Sequence, residues 1–175
     1  EHPRRREKAA HLRQPVIPVS GDMRQRALAC LAYETHCAPG SISLQRDTAR
    51  TVLRDFFAEA LCKPLPEAND LADAMLAVGA ESVGILVEKA QDEVGFLHRT
   101  FQEFLAASHL RRMPFARQRE HRELFAIQPS WQNVFLCLCY LNERADENDQ
   151  LVEDIEALAV PPEAEAVRVA LLSEL

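Results

Sequence analysis

Gly95-Phe96-Leu97-His98-Arg99-Thr100-Phe101-Gln102-Glu103-Phe104-Leu105-Ala106-Ala107 joins two local patterns within a few residues. The run from Val94 to His98 is short, apolar and preceded by a polar turn, which suits a strand. Thr100 then stands three residues ahead of Glu103, the spacing of a capping box. In that arrangement the hydroxyl accepts from the backbone N–H of Glu103, and the carboxylate reaches back to the N–H of Thr100. Beyond it, Phe101, Phe104, Leu105 and Ser108 fall on one helical face. Strand thus gives way to helix with His98 at the joint, close to helix N–H groups that attract anions. Such a position suits a side chain that binds something negative.

Upstream, the pattern predicts three helices and a β-ribbon. Asp22, after Ser20-Gly21, is expected to cap a helix whose inner face carries Ala27, Leu28, Leu31, Ala32 and Thr35 and which stops at Ala38-Pro39-Gly40. A second helix is expected from Ser43 to about Leu61, with Val52, Leu53, Phe56, Phe57 and Ala60 as its stripe, ended by Lys63-Pro64. A third, from about Glu67 to Val78, carries Leu71, Ala72, Met75 and Leu76, with Gly79 as its stop. Two short strands follow, joined by Ala90-Gln91-Asp92-Glu93. Three helices, a two-stranded wing and a closing helix make a winged helix in a mainly α chain.

Downstream, Pro114 ends the fourth helix, and Arg122 to Ile127 reads as a brief helix before Pro129. Trp131 to Asn142 and Leu151 to Leu158 are apolar at helical spacing, and Pro161-Pro162 opens a last helix through Val167, Leu171 and Leu172. The expected layout is a linker over residues 1–20, a winged-helix domain over 21–112 and part of an α-helical array over 113–175. The linker holds Pro3, Pro15 and Pro18, a short helix through Arg5 to Leu12 and an extended run from Gln14 to Val19.

Phe96 to Ala107 resembles the motif that closes the winged-helix domain of NACHT-type signal-transducing NTPases, the STAND class. Gly84-Ile85-Leu86-Val87-Glu88 looks like the first wing strand of that module, and Pro129-Ser130-Trp131-Gln132-Asn133-Val134 is similar to the start of a helix in the helical domain that follows it. The likeness covers roughly residues 21–145 in matching order. It implies that His98 contacts the β-phosphate of bound ADP and ties the winged helix to a nucleotide-binding domain of the same parent chain. The imidazole N–H donates well to a phosphate oxygen, and an adjacent anion favours its charged form. A hydrogen bond with a charged partner contributes roughly 1.5–3 kcal/mol, on the order of 10- to 100-fold in affinity. A histidine that merely satisfies a helix terminus is the competing reading. Arg99, Thr100, Phe101, Gln102 and Glu103 support the motif: Glu103 as a structural cap, Gln102 by bonding into neighbouring helices, Arg99 by reaching a partner domain or water.

The 175 residues carry a net charge of −7 and five cysteines. No apolar run approaches the roughly 20 residues that cross a bilayer, and no leader pattern follows the opening arginines. Cys30, Cys37, Cys62, Cys137 and Cys139 form no Cys-x-x-Cys pair, as expected of reduced thiols in a cytoplasmic protein. Cys137 and Cys139 project about 200° apart on a helix, so they do not chelate together. No metal site and no Cys-His nucleophile is expected. The chain starts at Glu1 rather than Met, which leaves open an excised piece or a processed chain. Basic residues gather at Arg4 to Arg13 and from Arg111 to Arg122, acidic ones from Glu143 to Glu156; either a docking asymmetry or a solvated surface accounts for them.

The chain has no Gly-x-x-x-x-Gly-Lys-Ser/Thr loop and no apolar strand ending in an acidic pair for Mg²⁺, so no catalytic residue is expected here. ADP or ATP with Mg²⁺ belongs to the parent, and this chain alone is expected to bind and turn over no nucleotide. The resemblance implies a regulatory module that senses ADP, controls a nucleotide-dependent switch and leads to self-association of the parent, in defence signalling of the innate-immunity kind. Two alternatives stand beside it: a helical interaction scaffold without nucleotide contact, and a DNA-binding winged helix. The third helix reads Glu67-Ala68-Asn69-Asp70-Leu71-Ala72-Asp73, too acidic to sit easily in a DNA groove, so neither DNA nor membrane is an expected partner.

Overall fold

The structure, a computed structural model, describes residues 18–38, 40, 42–81 and 84–175, the side chains at 80 and 81 excepted. The expected helix through Arg5 to Leu12, and all but the end of the expected linker, lie outside the described residues. The fold is mainly α with one small sheet. The chain divides into two compact units, Glu1–His98 and Arg99–Leu175.

The first unit contains α1 (Gly21–Cys37), β1 (Leu44–Gln45), α2 (Arg46–Leu61), α3 (Leu65–Glu81), β2 (Leu86–Ala90) and β3 (Glu93–Phe96). Its core is formed by Leu31 and Ala32 of α1, Leu53 and Phe57 of α2, and Ala72, Met75 and Leu76 of α3, all at most 4% exposed. Burying each large apolar side chain contributes roughly 1.5–3 kcal/mol, so the stripes read from the sequence are what hold the helices together. Ser20, not Asp22, caps α1: its hydroxyl accepts from Met23 N at 3.2 Å, and Asp22 lies in the first turn. A serine one position earlier satisfies the same orphan donors.

The sheet has three strands in the order β1-β3-β2, both pairs antiparallel, rather than the two expected. β1 is only two residues long and carries no alternation to read. Tertiary bonds hold it: Glu93 accepts from Ser43 Oγ at 2.7 Å and from Gln45 Nε2 at 3.0 Å. The hairpin turns at Gln91-Asp92, with Asp92 at φ 58°, a conformation Asp tolerates. The Asp92 carbonyl accepts from Arg46 N at 2.6 Å, fastening the turn to the start of α2. Gly79 does not stop α3. It lies inside the helix, where an added Cβ would stand 2.6 Å from Leu86 Cδ1, so it serves close approach of helix to strand. Gly95 is equally constrained, because a Cβ there would collide with the Ile42 carbonyl oxygen.

The second unit contains α4 (Arg99–Arg112), α5 (Phe115–Phe125), a 3₁₀ turn (Pro129–Trp131), α6 (Gln132–Leu141), α7 (Ala145–Glu156) and α8 (Pro162–Glu174). α6 packs on α4, and α7 packs on both α5 and α8. The brief helix expected at Arg122–Ile127 is instead the end of α5, which starts at Phe115. Its sequence, Phe-Ala-Arg-Gln-Arg-Glu-His-Arg-Glu-Leu-Phe, has almost no apolar stripe. Polar and aromatic contacts hold it. Arg122 Nη1 meets Asp154 Oδ2 at 2.6 Å with both side chains at most 6% exposed. Phe125 stacks on Trp131 with ring centroids 4.2 Å apart.

Candidate functional site

The backbone on either side of His98 is fixed by different elements. Before it, Phe96 ends β3 at 2% exposure, and Leu97 N donates to the Ile85 carbonyl at 2.9 Å. After it, α4 begins at Arg99. His98 itself is exposed, on the bend between strand and helix. This is the joint expected from the sequence.

The capping box does not form as expected. α4 starts at Arg99, so Thr100 lies inside the first turn instead of capping it. Glu103 is 3% exposed and turns sideways: Oε1 accepts from Arg99 Nε at 2.9 Å, and Oε2 from Asn133 Nδ2 at 3.2 Å. Arg99 thus neutralises a buried carboxylate while 46% of its side chain stays exposed. Gln102, at 2% exposure, lies on the same inner face as Glu103, Ala106 and Leu110.

The phenylalanines face the other way. Phe101 is 50% and Phe104 37% exposed, whereas Leu105 and Ser108 are buried, so the expected common face splits. Ala106 and Ala107 are fully buried on α4, which packs on α6, so small residues rather than the rings occupy its inner face. Apolar exposure beside His98 was not foreseen, because amphipathic reading sends phenylalanine inward.

The cysteines are all free. Burial, with smaller contributions from Glu34 and Glu59, pushes the Cys30 thiol up to about 12, so it stays protonated at neutral pH and is a poor nucleophile. Among the described residues, no three His, Cys, Asp or Glu side chains gather as metal ligands, and no helix is long and apolar enough to cross a membrane. Much of the basic stretch from Arg111 is locally paired: Arg117 with Glu120, Arg119 with Glu123, Arg111 with Glu143 and interior Arg122 with Asp154, whereas Arg112 donates to the Ser108 hydroxyl.

Three helices, a β-hairpin and a closing helix, in that chain order, are the elements of a winged helix-turn-helix. The chain matches the winged helix-turn-helix domain C-terminal to NACHT over residues 4–110, more than half its length, and belongs to that family. No curated protein and no solved structure matches it. The family match ends at residue 110, close to the 112/113 boundary expected from the sequence, whereas the compact units divide after His98.

An exposed imidazole and the partly exposed guanidinium of Arg99 are adjacent in the chain. Imidazole and guanidinium N–H groups both suit phosphate oxygens.

Proposed function

We propose that the chain is the regulatory winged-helix module of a NACHT-type NTPase and that His98 reads the β-phosphate of ADP held by the NACHT module of the same parent. The observation that carries this reading is the exposure of His98 on the bend between β3 and α4, inside a domain whose family stands C-terminal to NACHT. The Leu97 N–H bond to the Ile85 carbonyl already holds the backbone ahead of His98, so less ordering is needed on binding and more of its hydrogen bond appears as affinity. The contact biases the parent toward a closed, ADP-bound state only if opening breaks it. Exchange for ATP with Mg²⁺ would then release the module, expose surfaces for self-association and start a signal of the defence type in the cytoplasm.

What this chain's residues do in that scheme is limited. His98 donates to phosphate, Arg99 offsets the buried charge of Glu103, and Glu103 with Gln102 packs the start of α4 from within. Bound nucleotide supplies the difference between states. The acidic start of α3, with Glu67 paired to Lys63 and Asp73 to Arg50, supports a protein partner over DNA.

The test is His98→Ala in the NACHT-bearing parent. ADP release should quicken on the order of 10- to 100-fold, and basal signalling should rise. Unchanged release and unchanged basal activity would leave the helical scaffold as the better reading.

A further inference from the structure

The second unit holds two neighbouring polar pockets, an inner and a more open outer one, that play no part in the reading of His98. The inner pocket, about 80 Å³, is lined by Phe115, Gln118, Arg122, Asn142 and Glu147. The outer pocket, about 310 Å³, is lined by Ser108, Arg111, Arg112, Leu141 and Glu147. Glu147 belongs to both walls.

Among the described residues, two buried polar atoms of these lining side chains have no partner. The Arg122 side chain is 3% exposed; Nη1 donates to Asp154 at 2.6 Å and Nη2 to Gln118 Oε1 at 3.2 Å, but Nε donates to nothing. Glu147 Oε2 is buried and accepts from nothing. Their neighbours are committed elsewhere: Gln118 Nε2 donates to the carbonyls of Arg111 and Met113 at 3.0 and 2.9 Å, and Asn142 Nδ2 to Asn148 at 2.8 Å. Buried polar groups are normally satisfied, and an unmade bond to a charged one is costly.

The pair selects a ligand chemistry. A bare anion in the inner pocket would meet the Glu147 carboxylate, and a cation would meet Arg122. An amide or lactam edge meets both, its C=O accepting from Arg122 Nε and its N–H donating to Glu147 Oε2. The Phe115 ring, 5.7 Å from the Arg122 guanidinium carbon, supplies an apolar wall beside it. The outer pocket adds two guanidiniums. Arg112 is tied to the Ser108 hydroxyl at 2.8 Å, and Arg111 to Glu143 at 3.1 Å, whose side chain is 81% exposed. A rim pair of that kind contributes little and yields easily to a bound anion.

We propose that the two pockets act as one site for a small organic anion carrying an amide or lactam edge, with the edge between Arg122 and Glu147 and the anionic group at Arg111 and Arg112. An acylated amino acid and an oxo-pyrimidine nucleotide share that chemistry. Calorimetric titration of the chain with N-acetylglycine, uridine 5′-monophosphate and inorganic phosphate separates them. At least one organic anion should bind saturably, about tenfold or more tighter than phosphate, and Glu147→Leu and Arg112→Ala should each weaken it about tenfold. Neither organic anion saturating by about 10 mM, phosphate binding as tightly, or wild-type affinity in a folded Glu147→Leu chain would overturn the proposal. The comparison among ligands uses the unaltered chain, so it decides the matter even if a variant fails to fold.

Discussion

Asn133 donates its side-chain amide to Glu103 Oε2 at 3.2 Å, joining α6 to the first turn of α4 through a carboxylate that is 3% exposed. Two of the segments that carry the resemblance, Phe96–Ala107 and Pro129–Val134, therefore meet at one hydrogen bond within the second unit. Glu103 works as a cross-tie, not as a cap.

Removing that tie has a measurable cost. Glu103→Ala should lower stability by about 2 kcal/mol, since it deletes two hydrogen bonds and leaves a void, while Glu103→Gln should cost about 1 kcal/mol. Urea unfolding of the chain gives both values. Burial, and behind it the Glu103 charge, holds the Cys137 thiol above its ordinary range. Alkylation at Cys137 should therefore quicken in Glu103→Gln, as site-resolved mass spectrometry would record. Equal stability in all three proteins would contradict the cross-tie.

The Arg122–Asp154 pair should behave as a buried ion pair. Each carries a further bond, Arg122 to Gln118 and Asp154 to Gln150 at 3.0 Å, so breaking the pair strands more than one group. Asp154→Leu alone should destabilise by about 3–5 kcal/mol, and Arg122→Met added to it should recover much of that loss. A double-mutant cycle by urea unfolding reads the coupling, and additive losses would rule it out.

His109 gives the chain an acid-sensitive step. Burial, then the Arg112 charge and then His121, pushes the imidazole down to about 4. The folded state thus holds it neutral where the unfolded chain, near 6.5, already binds a proton. Its contribution is complete above about pH 6.5 and shrinks as pH falls toward 4, by on the order of 3 kcal/mol across that window. Unfolding midpoints measured from pH 7 to pH 4 should fall less steeply in His109→Gln. Parallel curves for the two proteins would refute the assignment.

How much of this was legible in the sequence follows from what periodicity encodes. The stripes at Leu31, Leu53, Phe57, Leu71 and Met75 gave the first three helices because burial there is set by apolar spacing. The joint at His98 was legible for the same reason, since a short apolar run stops where a helical pattern begins. α5 and β1 were not. α5 is held by an interior arginine and stacked rings, and β1 by the side chain of Glu93, features that depend on residues distant in the chain. The outward turn of Phe101 and Phe104 was hidden as well, because the buried face of α4 includes Ala106 and Ala107, and small residues leave a faint signature in a hydrophobic pattern.

The most direct measurement is an experimental structure of the NACHT-bearing parent with ADP bound. The account predicts an imidazole nitrogen of His98 at about 2.7–3.2 Å from a β-phosphate oxygen, lost when ATP replaces ADP and the parent opens. A His98 ring turned away from the nucleotide, or one making the same phosphate contact in both states, would contradict it.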